Sequence, residues 1–143
     1  MRIFYDVNVL LDEYFEREGA DASEAAIRAA GLEGNEGWIA GHTLAQLFYI
    51  VQKRTSRADA WQYMRELLEW VQVAPIANME AASALNYGMT DFEDALQLSA
   101  AVACGADVII TRNISDFTST LVPVITPEEF LKGPAFQASQ EVK

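Results

Sequence analysis

Apolar and polar positions alternate between two periods along this chain. Ile3, Phe4 and Tyr5 form a short β-prone run ending at Asp6. From there Val9, Leu10, Leu11, Tyr14 and Phe15 recur at helical spacing. Asp21 and Ser23 are candidate caps of a second helix carrying Ala26, Ile27 and Ala30, closed around Gly31 and Gly34. Trp38, Ile39 and Ala40 read as a strand. Leu44, Leu47, Phe48 and Val51 predict a helix that stops near Lys53 and Arg54, and Ala60, Trp61, Met64, Leu67 and Leu68 predict another. A strand from Val71 ends at Pro75, and Ala81 to Leu85 is helical. The spacing predicts a strong helix from Asp91 to Cys104. Val108, Ile109 and Ile110 make a continuous apolar run, as expected of a parallel strand buried on both faces. Pro123 to Ile125 is a last strand. Thr126, Pro127 and Glu129 then spell a capping box with proline at the first helical position.

Helices separate nearly every pair of strands, which predicts an α/β sandwich: helices on both faces of a mostly parallel sheet. Sites in such sheets lie outside the carboxyl ends of the strands. Asp6 follows the first strand, and Thr111 to Asp116 follow the Val108–Ile110 strand, so both point to one edge. Asp91 and Asp94 share a face at the first turn of one helix. Each acid alone reads equally well as a helix cap. Together they differ, because several carboxylates cannot stay ionised side by side without a compensating charge. A hard cation such as Mg²⁺ or Mn²⁺ would supply it.

The 143 residues suit one domain with a real core. Charge is lopsided: 10 Lys and Arg against 21 Asp and Glu give −11, with a pI near 4.4. That balance argues against a broad basic face for nucleic acid, but not against phosphates reached through bound cations. The lone Cys104 cannot form an internal disulfide, which fits a reducing, cytoplasmic compartment. Asp6 and Asp12 break the first apolar run, so a signal peptide or membrane span is not expected there. The chain carries neither GxGxxG nor GxxxxGK[ST].

Three segments, FYDVNVLLD, DFEDALQLSAAVACGADVIITRNISDF and VITPEEFL, resemble PIN-domain proteins of the bacterial toxin–antitoxin (VapC-like) ribonuclease group. The match runs from about Met1 to Lys132, a single domain over 1–132, with 133–143 expected as a frayed tail. The resemblance implies an α/β/α sandwich whose acidic cluster binds Mg²⁺ or Mn²⁺ and cuts single-stranded RNA. It implies homodimers, and an antitoxin that covers the acidic groove. Residue by residue, Asp6 matches the first family acid, Asp94 the third and Asp116 the fourth; these are the candidate catalytic and metal-binding residues, with Asp91 as an additional ligand. Asn113 matches a position where some relatives carry an acid. Asn8, Gln46, Thr111 and Asn113 are candidate supporting residues around the metal. Gln46 is a departure, since many relatives have a glutamate there.

Candidate RNA contacts are Lys53, Arg54 and Arg57, the one basic patch, and Arg112 beside the acidic edge. His42, the only histidine, has no nucleophile pattern around it. Trp38, Trp61 and Trp70 read as packing residues. The expected activity is metal-dependent endonucleolytic cleavage of RNA. The rivals are a catalytically weak binding module of the same fold and a phosphohydrolase using Asp6 as nucleophile.

Overall fold

The computed structural model describes residues 1–117, 121–133 and 136–137. Its strands are β1 (Arg2–Tyr5), β2 (Glu36–Ala40), β3 (Val71–Ala74), β4 (Val108–Ile110) and β5 (Val124–Ile125). Its helices are α1 (Val7–Tyr14), α2 (Ala20–Arg28), α3 (Gly41–Arg54), α4 (Arg57–Leu68), α5 (Asn78–Ala84), α6 (Phe92–Ala103) and α7 (Pro127–Lys132). The strands form one sheet in the order β3-β2-β1-β4-β5, and every pairing is parallel. This is the α/β sandwich that the alternation of strand and helix predicts.

Strand alternation divides β1 between two layers. Ile3 and Tyr5 enter a core built with Val9, Leu10, Leu47, Val51, Leu67 and Phe130, from α1, α3, α4 and α7. Phe4 points the other way, onto Leu98, Ala100 and Ala101 of α6, and α5 packs against α6. Fully burying a side chain of this size contributes roughly 1.5–3 kcal/mol before entropy is subtracted. The buried Tyr5 hydroxyl donates to the Ala26 carbonyl at 2.7 Å and ties α2 to the central strand.

The chain winds outward from β1 to β2 and β3, then returns to the other side of β1 to lay down β4 and β5. The order therefore reverses between β1 and β4. A crevice opens at such a reversal, outside the carboxyl ends of the two strands. Asp6 and Thr111 are the first residues beyond those ends.

Three local expectations change. The helix expected from Asp21 or Ser23 starts earlier, with Gly19 as its N-cap at φ +85°. Ser23 lies inside α2, buried, where its hydroxyl accepts from Arg112 at 3.0 Å. The left-handed backbone at Gly19 favours glycine, and a Cβ there would lie 2.4 Å from the Arg112 guanidinium and displace it. Trp61 is 54% exposed and rests edge-on against Phe48, so it is a surface residue rather than a core one. At α7, Thr126 accepts from the Glu129 N–H at 3.1 Å with Pro127 in the first turn, but only this half of the expected capping box is formed among the described residues. The expected tail, 133–143, lies mostly outside the described residues.

Candidate metal centre

Asp6 occupies the N-cap position of α1, yet its side chain makes no capping hydrogen bond. It is turned into the crevice and is 3% exposed. Thr111 Oγ1, from the end of β4, donates to its Oδ2 at 2.8 Å, and Gln97 Nε2, from α6, donates to its Oδ1 at 2.9 Å. Both donors are themselves buried. The Asn113 N–H donates to Thr111 Oγ1 at 3.1 Å and so fixes the hydroxyl that holds the carboxylate.

Asp94 reaches the same place from the first turn of α6. Asp91 is the N-cap, and its Oδ1 accepts from the Asp94 N–H at 3.0 Å. The cap sets the register of the helix. Gln97, one turn on from Asp94, therefore lies on the same face. Its single Nε2 group serves both acids, reaching Asp94 Oδ1 at 3.3 Å. Asp116 stands at the lip of the crevice, exposed, in the 3₁₀ turn Ile114–Asp116.

The electrostatics follow from this crowding. Burial raises the Asp94 carboxyl to about 7, and the charges of Asp6, Asp91, Asp116 and Glu93 add to the shift. Burial also raises Asp6, partly offset by the Gln97 and Thr111 hydrogen bonds, with Asp116 pushing further upward. Among the described residues no cation pairs with these groups: Arg112, the nearest in sequence, is committed elsewhere. Its guanidinium donates to Asp12 Oδ2 at 2.6 Å, Glu128 Oε1 at 2.9 Å and the Gly19 carbonyl at 2.6 Å.

Among the described residues no group of three or more His, Cys, Asp or Glu side chains stands close enough to hold a metal ion unaided. What the site offers is a pair of carboxylates sharing one donor, with a third acid at the rim. That donor set fits a hard divalent cation that keeps several of its own waters, as Mg²⁺ does, and not a protein-only cage. Among the described residues the buried Gln97 Oε1 has no hydrogen-bond partner, which leaves an amide oxygen free to accept in the crevice.

The shift on Asp94 has a measurable sign. A carboxyl raised in the fold keeps a proton that the unfolded chain has already released. The resulting stabilisation is complete below the unfolded value near 4 and is lost as pH rises through about 7. Asp6 and Glu13, both raised by burial, act in the same direction, whereas His42, lowered by burial, opposes them. In chelator, the melting temperature should therefore fall between about pH 5 and about pH 8. Asp94→Asn should make that fall shallower. An identical slope in wild type and variant would remove Asp94 from the cluster.

The remaining candidates sort by position. Gln46 Nε2 donates to the Glu93 carboxylate, and His42 Nε2 lies 3.2 Å from the Glu93 carbonyl oxygen. The first turns of α3 thus clamp the first turn of α6, and Gln46 lies beside the cluster through Glu93. Asn8 faces a different groove, between α1 and α3, with Tyr49, Lys53 and Arg54. Arg57, at the start of α4, is exposed. Asn113 is exposed next to Asp116. Cys104 is half-buried as the C-cap of α6.

Two residues were missed by reading the sequence for acids. Gln97 had a signal: it is a polar residue inside the apolar run of α6, three positions after Asp94. Asp12 read only as an interruption of an apolar helix, and its partner Arg112 lies 100 positions away.

Comparison with known proteins agrees with this fold. Among curated proteins no sequence match is found. The VapBC-1 complex of nontypeable Haemophilus influenzae has a chain of similar fold, with TM-score 0.72 and 15% identity, covering 90% of this chain and 99% of that one. A toxin–antitoxin complex from Klebsiella pneumoniae matches at TM-score 0.68 and 22% identity, covering 87% and 97%. VapBC2 of Rickettsia felis, bound to a DNA fragment from its promoter, matches at TM-score 0.68 and 16% identity over 87% and 97%. At these identities the likeness is one of fold. The profile of the PIN domain matches residues 2–115, the segment that contains the crevice with Asp6 and Asp94, and the chain belongs to the PIN-domain family.

Proposed function

We propose that this protein is a divalent-metal-dependent endoribonuclease, the toxin of a toxin–antitoxin pair, working in the cytoplasm as a homodimer. The observation that carries the reading is the convergence of Asp6 and Asp94 on one buried amide, with Asp94 driven to about 7 by burial and by the surrounding carboxylates. The solved structures of similar fold are toxin–antitoxin complexes, which supports an antitoxin partner.

Mg²⁺ or Mn²⁺ would be held by Asp6 and Asp94, with Asp116 and Asp91 as further acids around it. Bound there, the ion supplies a water of lowered pKa and neutralises charge on the scissile phosphate. The chain's own residues do the rest. Thr111 and Gln97 fix both oxygens of Asp6, so its carboxylate presents one orientation without reorganising. Asp94, raised to about 7 without the ion, would give up its proton and serve as a carboxylate ligand when the ion is present. Asp116, exposed at the lip, is positioned to accept the proton of an attacking water. The low exposure of Asp6 and the engagement of both its oxygens make it a poor nucleophile, which counts against the phosphohydrolase reading.

The test is cleavage of single-stranded RNA by the purified protein. Cleavage with Mg²⁺ or Mn²⁺ that chelator abolishes is expected. Intact RNA with either ion would favour the binding-module reading, and cleavage that persists in chelator would remove the metal from the mechanism.

A further inference from the structure

The α1–α3 groove lies outside the carboxylate crevice and is walled differently. Asn8 lies at its α1 side, Arg17, Lys53 and Arg54 supply its charge, and Tyr49 stands open to solvent over a floor of Leu11 and Ile50. The groove encloses about 530 Å³. Three of the ten lysines and arginines of a chain of net charge −11 gather here. Arg17 and Arg54 both sit over the ring of Phe15, at 5.5 and 5.3 Å from its centroid, which brings two like charges together. Arg17 shares Asp12 with Arg112, which also pairs with Glu128, so the uncompensated positive charge of the groove comes from Lys53 and Arg54. Among the described residues the Lys53 ammonium has no partner.

The two helices that wall the groove, α1 and α3, also reach the crevice, at Asp6 and at Gln46. Gln46, Tyr49 and Lys53 follow one another at helical spacing along one face of α3. Gln46 touches Glu93 in the first turn of α6, next to Asp94. At about 1.5 Å per residue, Lys53 lies roughly 10 Å from Gln46 along the helix. On α1, Asn8 stands two residues after Asp6.

We infer that this groove is the track along which single-stranded RNA enters the crevice, with phosphates on Lys53, Arg54 and Arg17 and one base stacked on Tyr49. The inference rests on the ribonuclease reading above and adds the route of the strand and the side chains that hold it. A cationic wall with an open aromatic ring is the combination that holds single strands without reading sequence. Tyr49 is 66% exposed, against 54% for Trp61 and 52% for Phe92, so its ring is open to a stacking base. An acidic or apolar protein segment is the competing occupant.

The test measures binding of fluorescent single- and double-stranded RNA in chelator, where cleavage is suppressed. Tyr49→Ala should weaken single-strand binding about tenfold, within the range of a single base–aromatic stack, and Tyr49→Phe should restore it. Lys53→Ala should weaken binding to all sequences and reduce the salt slope by about 0.7. Arg28→Ala, on α2 and paired with Glu24, should change nothing. Wild-type affinity and salt slope in both Tyr49→Ala and Lys53→Ala would overturn the inference while cleavage by wild type still supports the ribonuclease. A wild-type protein that neither binds nor cuts RNA overturns both. Loss of antitoxin binding with RNA affinity intact would assign the groove to the protein partner.

Discussion

Asp94→Asn should reduce RNA cleavage by about 100- to 1,000-fold or more, the loss that follows when a charge at the reacting centre is removed. The substitution keeps the volume of the side chain and an oxygen that can still accept from Gln97 Nε2. It also keeps the backbone N–H that Asp91 caps. The fold should survive, and in chelator near pH 8 it should gain stability, because the variant removes a carboxylate that Asp6, Asp91, Asp116 and Glu93 all repel. Lost activity beside a raised melting temperature separates a missing functional group from a damaged fold. Cleavage within a few-fold of wild type would show that Asp94 has no part in the chemistry.

Arg112→Ala should be the most destabilising single change at this edge, by about 3–5 kcal/mol, the cost of leaving a buried ion without its partner. Asp12, almost wholly buried, would keep only Arg17 at 3.5 Å. Ser23, Glu128 and the Gly19 carbonyl would each lose a donor as well, so α1, α2 and α7 come untied together. For a chain of this length that corresponds to a melting temperature lower by roughly 10 °C. Arg112→Lys should recover only part of the loss, since an ammonium cannot reproduce the planar fork that reaches four acceptors. Calorimetric unfolding measures both variants. Unchanged stability with weakened RNA binding would instead make Arg112 a phosphate contact, the role its position in sequence invites.

The contrast between these two residues shows what was legible in the sequence. The sandwich followed from hydrophobic period alone: Val108–Ile110 could be read as a buried parallel strand because it is apolar on both faces. Asp6 and Asp94 could be placed at one edge because the ends of parallel strands share a side. Asp91 was visible both as a cap and as a cluster member, and the structure shows its Oδ1 in the cap. Side-chain direction was not legible. Arg112 is flanked by Thr111 and Asn113, yet its guanidinium turns back to Asp12 and Glu128, a choice set by long-range pairing that no local pattern encodes. Gln97 was passed over for the opposite reason, since an amide carries no charge to draw notice. Its importance arises only when α6 packs across the end of β1 and puts one Nε2 between two carboxylates. The groove beside α3 was half legible: Lys53 and Arg54 were evident as a basic patch, with Tyr49 one turn earlier on the same helix, but Arg17 joins them only through the packing of the chain around α1 on α3.

The central claim is that Asp6 and Asp94 together form a binding site for a divalent cation. Titration of Mn²⁺ into the purified protein by calorimetry at about pH 7.5 tests it most directly, with Asp94→Asn as the paired sample. Binding should release protons, because the Asp94 carboxyl, at about 7 without the ion, must be fully ionised when an ion is present. The heat should therefore change with the ionisation enthalpy of the buffer in wild type, and Asp94→Asn should lose both the affinity and the buffer dependence. Equal Mn²⁺ affinity in the two proteins, or no binding in either at millimolar Mn²⁺, would contradict the account.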